Sequence, residues 1–180
     1  GETIREMGVR DKIRLKASLN GAEPWTEGMR SQIEQYLGIQ AHDIYGLSEI
    51  MGPGVATDCS YHCGLHIHED HFLPEIVDQK TLKPLRDGMT GELVISTLTK
   101  EGLPLIRYRT KELTSIDHSP CACGRTTARI DRFTGRTEDM LIIRGVNVFL
   151  LQIEAALLEM GETTPHYLLI VVGVRNMYTL

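Results

Sequence analysis

The sequence predicts a mixed α/β (α+β) fold, with an α/β unit first, a β-rich part in the middle and the start of a small second domain. A helical pattern between two strand-like runs indicates the first part, and short apolar runs broken by turn residues indicate the second. A strand–helix–strand pattern near the end indicates the third. The net charge of −5 gives no reason to expect a nucleic-acid partner. No apolar run approaches the roughly 18 residues of a membrane span.

The first part is built around one helix, which we expect to begin after Thr26 and to end at Gly38. Threonine is a suitable N-cap, and glycine is a common C-terminal stop. The apolar residues of the segment fall on one helical face: Met29, Ile33, Tyr36 and Leu37. Residues 12–19 predict a buried strand before the helix, and residues 39–46 predict a second strand after it. Loops that follow such strands are common ligand-binding places.

The middle part consists of short strand-like runs that we expect to form a meander. The runs span residues 71–78, 91–98 and 103–110. Arg107 and Arg109 lie two positions apart on the last run, so they are expected to face the same side. This pair fits either a nucleotide contact or ordinary ion pairs along a strand.

The polar stretch 129–139 is the candidate domain boundary. We expect a large-domain portion over residues 1–134, a hinge over 135–139 and the start of a small domain over 140–180. Beyond the hinge, the pattern predicts a strand, a helix and a strand in turn: residues 140–145, 150–160 and 166–174. Taken alone, the charged residues of this segment indicate only a solvent-exposed hinge.

Cysteine and histidine residues are concentrated in two short stretches that are far apart in the sequence. Residues 59–71 hold two cysteines and four histidines, and Cys121 and Cys123 follow much later. Structural zinc sites use four thiolate or imidazole ligands, commonly in two short pairs, which predicts a closed zinc site here. Unligated buried cysteines and a Cys-x-Cys redox pair are the alternatives. This cysteine usage favours a reducing, cytoplasmic compartment.

The stretch HDIYGLSEIMG, residues 42–52, places a hydroxyl and a carboxylate side by side after an aromatic residue. Ser48 is suited to contact a phosphate oxygen and Glu49 to bind the accompanying magnesium ion, with Tyr45 available to stack on a base. By itself, the Ser-Glu pair is more typical of a helix N-terminus, where serine caps the helix and glutamate complements its dipole. The stretch alone does not decide between the two.

In combination, several segments resemble the phenylacetate–coenzyme A ligases of the acyl-adenylate-forming superfamily. The resemblance extends over nearly the whole chain and rests on these segments, in order: NGAEP, YGLSE, GELVIST, LIRYRT, CACGR and GRTEDMLIIRGVNVF. It implies that residues 1–134 are the C-terminal portion of a large AMP-binding domain. It also implies a two-step reaction, in which ATP activates an aryl acid as an acyl-adenylate and coenzyme A then accepts the acyl group.

The resemblance implies roles for residues at the nucleotide. Four residues match a loop that lies against the adenine: Gly21, Ala22, Glu23 and Pro24. Tyr45 matches the aromatic residue that stacks on the base, and Asp43 and Gly46 are assigned to the same nucleotide site.

The catalytic residues implied by the resemblance lie at the phosphates. Ser48 matches a contact to the α-phosphate, Glu49 a magnesium ligand and Arg136 an arginine that approaches the nucleotide. Gly145 matches a glycine that lets the pantetheine arm of coenzyme A pass close to the backbone.

At three positions the sequence departs from the pattern that it resembles. Glu112 stands where an aspartate usually holds the ribose hydroxyls, and the extra methylene moves the carboxylate by about 1.5 Å, which matters at hydrogen-bond tolerances. Glu138 stands at the hinge where aspartate is common, beside Asp139, and Leu150 replaces a proline.

The resemblance also selects metal ligands from the cysteine and histidine residues. The best match for a structural zinc ion is the set Cys59, His66, Cys121 and Cys123. Cys63 is a rival to His66 for the fourth ligand.

Two parts of the implied site are expected outside these 180 residues. The phosphate-binding loop is expected upstream of residue 1, and the catalytic lysine of adenylation downstream of residue 180. We therefore expect the isolated chain to have no ligase activity.

Two alternatives to phenylacetate activation stay open. One is adenylation of a different acid or of a cofactor such as a deazaflavin. The other is a non-catalytic, zinc-stapled nucleotide-binding module. The sequence also leaves open whether the protein forms a homodimer.

Overall fold

The chain begins with helices and two strands, continues as a long run of strands and returns to a helix near its end. The structure, a computed structural model, describes residues 2–21, 25–136, 140–143, 146–160, 172–174 and 177–179. Helices in these ranges are α1 (Glu2–Met7), α2 (Glu27–Leu37) and α3 (Leu150–Glu159), with a 3₁₀ turn at Arg10–Lys12. The strands are β1 (Ala17–Asn20), β2 (Gln40–Leu47), β3 (Gly52–Thr57), β4 (Leu65–Ile67), β5 (Phe72–Val77), β6 (Gly91–Thr97), β7 (Tyr108–Thr114), β8 (Ile116–Asp117), β9 (Arg129–Ile130), β10 (Gly135–Arg136), β11 (Met140–Ile143), β12 (Val146–Phe149), β13 (Val172–Val174) and β14 (Met177–Thr179).

Two larger sheets organise residues 17–136. The first has the strand order β1-β2-β3-β4-β9-β8, and the second has the order β10-β7-β6-β5. Strands β1 and β2 are parallel, joined by α2, whereas the other pairings of the two sheets are antiparallel. The mixed α/β architecture and the β-rich middle part predicted from the sequence are confirmed.

Helix α2 has the predicted ends, but its buried face differs from the prediction. The Thr26 side-chain oxygen accepts a hydrogen bond from the Met29 N–H at 3.2 Å, and Gly38 adopts the left-handed conformation that ends the helix. Met29, predicted on the apolar face, is 37% exposed, whereas Arg30 is only 4% exposed. Arg30 is buried because its guanidinium forms an ion pair with the buried Asp58 carboxylate at 2.9 Å.

The structure corrects two predicted strands and decides between the two interpretations of residues 48–51. Strand β1 covers only Ala17–Asn20, alternates exposed and half-buried residues, and is preceded by the 3₁₀ turn at residues 10–12. Strand β7 begins at Tyr108 and not at residue 103, and Arg107 just before it has a positive φ of 50°. Residues 48–51 form the turn of the β2–β3 hairpin rather than a helix N-terminus, with the N–H groups of Ile50 and Met51 donating to Leu47 O.

Arg107 and Arg109, which were predicted to face the same side of one strand, bind different carboxylates. Arg107 Nε donates to Glu75 at 3.0 Å, and Arg109 binds both carboxylate oxygens of Glu92. Glu92 is fully buried, so this bidentate pair satisfies a carboxylate inside the protein. The geometry is that of ion pairs along a strand.

The second part of the predicted boundary lies outside the described residues. Gly135 and Arg136 form β10 and pair with β7, whereas residues 137–139 are not described. Beyond them, β11 and α3 lie where a strand and a helix were predicted, and β12 is a strand that the sequence pattern did not reveal. The part of the last predicted strand that is described is β13.

Residues of both larger sheets share one hydrophobic core. The cluster includes Val55, Ile67 and Ile130 from the first sheet and Phe72 and Ile95 from the second. Strand β6 is the most completely buried of the longer strands, since six of its seven residues are buried. In the described part of the chain, no helix combines the length and the apolar character needed to cross a bilayer.

We predict that Gly46→Ala destabilises the protein, because β2 and β3 approach closely at a bulge between Tyr45 and Gly46. A Cβ atom at Gly46 would overlap the backbone of Gly52 and Pro53, which cannot move as a flexible side chain could. Overpacking of this kind typically costs about 1–3 kcal/mol of unfolding free energy. Urea unfolding followed by circular dichroism measures the effect.

The control for this prediction is Gly102→Ala. A Cβ atom at Gly102 would have no heavy atom within 4 Å and requires no positive φ. Equal unfolding midpoints for the two variants would show that the close approach at Gly46 carries no stability.

Candidate functional site

Tyr45, Glu112 and Arg136 meet between the two larger sheets. The Tyr45 hydroxyl donates to Glu112 Oε2 at 2.5 Å, and Arg136 Nη2 lies 3.3 Å from Glu112 Oε1. Strand β2 of the first sheet supplies the tyrosine. Strands β7 and β10 of the second sheet supply the other two side chains, which are directly opposite each other in the register. Three residues assigned to a nucleotide site therefore form one connected group.

The environment of the group shifts two of its pKa values upwards. Burial raises the pKa of Glu112 above its usual range, and the nearby Glu49 carboxylate acts in the same direction. The Tyr45 hydroxyl and Arg136 partly offset this by stabilising the charged form. Burial, together with the adjacent Glu112 charge, also raises the pKa of Tyr45. Tyr45 is therefore a hydrogen-bond donor throughout the ordinary pH range.

The ring of Tyr45 is largely enclosed, at 8% exposure. Phe133 packs against it with the ring centroids 4.5 Å apart and the planes tilted by 40°. Sequence reasoning missed Phe133, because nothing in the polar stretch around it indicates a contact with β2. Stacking of Tyr45 on a base stays a prediction. The base would have to contact the part of the Tyr45 ring that Phe133 does not cover.

Ser48 and Glu49 lie side by side, both exposed, in the β2–β3 turn. The backbone oxygen of Glu49 accepts a hydrogen bond from Lys100 Nζ at 2.7 Å, which ties the turn to the loop after β6. Gly21 lies against β2, so close to Ile44 that a Cβ atom would overlap its carbonyl group. The remaining assigned residues are outside the described ones: Ala22, Glu23, Pro24, Glu138, Asp139 and Gly145.

Asp43 is half-buried on β2, two positions before Tyr45. Burial raises its pKa, while the Trp25 indole and the Arg132 guanidinium act in the opposite direction. Its backbone oxygen accepts the Asp58 N–H at 3.0 Å. No described contact links the Asp43 side chain with Glu112 or Arg136, so its assignment to the nucleotide site stays a prediction.

A second group brings together the two cysteine-containing stretches. The sulfur and nitrogen atoms of Cys59, His66, Cys121 and Cys123 all lie within 4.8 Å of one another. Cys59 Sγ and Cys121 Sγ are 3.9 Å apart, and Cys123 Sγ is 3.5 Å from His66 Nε2. A tetrahedral zinc ion with ordinary bond lengths places two sulfurs about 3.8 Å apart, and sulfur and nitrogen about 3.6 Å apart. The donor set and these two spacings fit zinc.

The surrounding backbone and side chains orient this cysteine–histidine group. His66 lies on β4, and its Nδ1 is 3.2 Å from Thr127 Oγ1, which leaves Nε2 directed at the sulfurs. The Cys123 N–H points at Cys121 Sγ at 3.5 Å. This backbone contact is the largest of the causes that lower the pKa of Cys121 to about 6, against the effect of burial.

Cys63 lies beside the four-residue set but is not part of it. Its sulfur is 3.3 Å from Cys121 Sγ, and the residue is exposed, whereas His66 is buried among the other sulfurs. The geometry thus groups His66, rather than Cys63, with the three remaining cysteines.

A network that sequence reasoning missed adjoins the cysteines. Asp58 accepts contacts from His42 at 2.8 Å, from His62 at 2.7 Å and from Arg30 at 2.9 Å. Burial opposes ionisation of Asp58, but its partners outweigh this effect and lower its pKa. Arg30 Nη1 also lies 2.6 Å from His62 Nδ1, so these side chains form one polar network that ties Asp58, the residue before Cys59, to α2 and β2. Only the strand register brings these distant residues together, so no local pattern reveals them.

Comparison with known proteins finds phenylacetate-coenzyme A ligases that are similar to most of this chain. Over 172 residues, the chain is 51% identical to a phenylacetate-coenzyme A ligase of Thermus thermophilus, covering 94% of this chain and 39% of that protein. The corresponding ligase of Escherichia coli is 54% identical over 85% of the chain and 35% of its own length. The chain matches one segment of the phenylacetate–coenzyme A ligases. No protein-family model matches the sequence.

These findings confirm the resemblance to the ligases, and solved structures confirm the adenylate-forming fold. A 2-hydroxyisobutyryl-CoA ligase in complex with 2-HIB-AMP has 26% identity and a TM-score of 0.83 over 92% of this chain and 36% of that one. An anthranilate CoA ligase has 16% identity and a TM-score of 0.55 over 81% of this chain, a likeness of fold alone. The chain spans 35–40% of the length of the curated ligases that it matches.

We predict that Tyr45→Phe weakens the link between the two sheets. The half-buried Glu112 carboxylate would lose its hydroxyl donor, and an unsatisfied buried acceptor costs about 1–3 kcal/mol. The pKa of Glu112 should also rise further, because one interaction that stabilises its charged form is removed. Urea unfolding measures the first effect, and the pH dependence of the Glu112 carboxyl ¹³C resonance measures the second.

Tyr61→Phe serves as the control, because Tyr61 is 59% exposed and its removal should leave the unfolding midpoint unchanged. An unchanged Glu112 titration in Tyr45→Phe would contradict the proposed hydrogen bond.

Proposed function

We propose that this chain contributes the nucleotide-facing part of an ATP-dependent ligase that activates phenylacetate or a related aryl acid and transfers it to coenzyme A. The observation that carries the proposal is the identity of 51–54% to phenylacetate-coenzyme A ligases, which extends over 85–99% of the chain. The convergence of Tyr45, Glu112 and Arg136 from two sheets supports it, because these are residues that the resemblance assigns to the nucleotide.

The proposed reaction has two displacement steps. A carboxylate oxygen of the acid attacks the α-phosphorus of ATP, and pyrophosphate leaves with the electrons of the broken P–O bond. The sulfur of coenzyme A then attacks the acyl carbonyl carbon, and AMP leaves. Developing charge at the phosphate would be stabilised by positioned donors and cations, a role that we assign to Arg136 and Ser48.

Glu49 would hold the magnesium ion that accompanies ATP. Its side chain is a single carboxylate exposed in the hairpin turn. This fits magnesium that is bound chiefly by substrate phosphates and water, because such ions use only one or two protein carboxylates. When bound, magnesium supplies positive charge at the phosphate oxygens.

Glu112 would act at the ribose, where the related pattern has aspartate. Its carboxylate already has two protein partners, Tyr45 and Arg136, so a ribose hydroxyl would join an existing network. We propose that the longer side chain is accommodated in this way and does not abolish nucleotide binding.

Cys59, His66, Cys121 and Cys123 would hold a structural zinc ion. The spacings of these donors support this, as does the hydrogen bond of His66 with Thr127. The ion would join the β3–β4 loop to the β8–β9 loop. Its four protein ligands would fill the tetrahedral coordination shell, as in structural sites. Retention of free thiols for zinc also fits a reducing, cytoplasmic location.

Residues 135–139 would form the hinge between a large domain and a small domain that begins at residue 140. Strand β10 still pairs with β7, so Arg136 is the last described residue attached to the large-domain sheet before this joint. Rotation here would exchange the groups that face the nucleotide between the two steps.

We predict that the full-length protein carrying these residues catalyses ATP–pyrophosphate exchange with phenylacetate, and that Glu49→Gln lowers the rate. Loss of charge stabilisation at a reacting phosphate costs on the order of a hundredfold in kcat. The assay measures incorporation of labelled pyrophosphate into ATP for phenylacetate, benzoate, anthranilate and 2-hydroxyisobutyrate. Glu101→Gln, an exposed glutamate in the loop after β6, is the matched control and should leave the rate unchanged.

Each outcome of this assay has a definite meaning. Exchange with another acid but not with phenylacetate would show that the other acid is the substrate. Exchange with no acid, while ATP still binds, would favour a non-catalytic nucleotide-binding module.

We predict about one zinc ion per chain after purification without chelators, and loss of that ion in His66→Ala. Three remaining thiolates leave the coordination shell incomplete, which weakens binding. Elemental analysis measures the zinc content. His68→Ala is the matched control, since His68 lies one residue beyond β4 and outside the cluster. Less than about half an equivalent of zinc in the unmodified chain would contradict the four-ligand site.

A further inference from the structure

The exposed Cys63 thiol is the one cysteine that the four-ligand set leaves over. Its sulfur lies 3.3 Å from Cys121 Sγ, closer than the 3.9 Å between Cys59 and Cys121. Both members of the second pair are buried, whereas Cys63 is open to solvent. Cys123 is only partly exposed, so Cys63 is the most accessible of the four thiols to a small oxidant in solution.

Arg129 fixes the Cys63 sulfur in this position. The arginine lies on β9, opposite His66 of β4 and Asp117 of β8 in the sheet register. Its Nη1 contacts Cys63 Sγ at 3.2 Å and Cys63 O at 3.3 Å. Its Nη2 binds Asp117 Oδ2 at 2.5 Å and two oxygens of Ser119. A buried guanidinium anchored on both sides thus holds a positive charge against this sulfur.

We propose that Cys63 is a peroxide-reactive thiol that, once oxidised, forms a disulfide with Cys121 and releases zinc from the cluster. This inference rests on the zinc site proposed above. In this proposal Cys63 reacts with peroxide and is not a ligand of the zinc ion.

The chemistry balances in two steps. Hydrogen peroxide oxidises the Cys63 thiol to a sulfenic acid, and its other oxygen leaves as water. The Cys121 sulfur then attacks Cys63 Sγ, forming the S–S bond and expelling hydroxide. The two sulfurs must approach from 3.3 Å to the disulfide bond length of about 2.05 Å.

The disulfide weakens zinc binding because Cys121 is one of the four proposed ligands. Cys59, His66 and Cys123 would remain, and three ligands bind the ion less tightly than four. The new disulfide joins the same two loops that the ion had bridged. Oxidation would therefore replace a metal crosslink with a covalent one and leave the β3–β4 and β8–β9 loops connected.

The test uses the reduced, zinc-loaded 180-residue chain, treated with hydrogen peroxide in the presence of a chromogenic zinc chelator. We expect the unmodified chain to release about one equivalent of zinc, and non-reducing peptide mapping to find a Cys63–Cys121 disulfide. In Cys63→Ser, release should slow by roughly tenfold or more, because the other three thiols are zinc ligands. Ser60→Ala, an exposed change in the same loop, is the control and should release zinc as the unmodified chain does.

The outcomes separate this inference from the zinc site itself. A reduced, unmodified chain without bound zinc would overturn both. Full zinc content in Cys63→Ser shows that the variant folds and binds the ion. Release as fast in that variant as in the unmodified chain, or a disulfide between other cysteines, would overturn the role of Cys63 alone.

Discussion

Packing of the two larger sheets against each other is the constraint on which the group of Tyr45, Glu112 and Arg136 depends. Apolar side chains from each sheet form one core, and this fixes how the strands of one sheet lie against those of the other. The Tyr45–Glu112 hydrogen bond crosses that junction, with its donor on β2 and its acceptor on β7. A residue substitution that loosens the core would therefore separate the Tyr45 hydroxyl from the Glu112 carboxylate.

The cysteine cluster depends on the same sheet in a different way. Strand register sets His66 opposite Arg129, and Arg129 opposite Asp117, so that the two loops with cysteines lie at one edge. The sheet supplies direction, but the loops themselves contain few apolar residues that could hold them together. A metal ion or a disulfide is an effective crosslink in such a place, because it links segments that a hydrophobic core does not reach.

Sequence reasoning succeeded where the determining interactions are local or where a motif preserves a set of residues. Thr26 and Gly38 define the ends of α2 through contacts within a few residues, so the helix was predictable. It failed for Arg30, whose burial depends on Asp58 across the sheet, and for Phe133, whose partner is Tyr45. Neither contact leaves a periodic pattern in the sequence, since it arises only after the strands have paired.

Glu112 stands at a position where the resemblance predicts aspartate. Its carboxylate contacts both the Tyr45 hydroxyl and the Arg136 guanidinium, and burial raises its pKa. Its two partners stabilise the charged form and hold the carboxylate in one orientation. A ribose hydroxyl that donates a hydrogen bond to the Glu112 carboxylate would then meet a fixed acceptor. Binding would therefore require little further ordering of the Glu112 side chain.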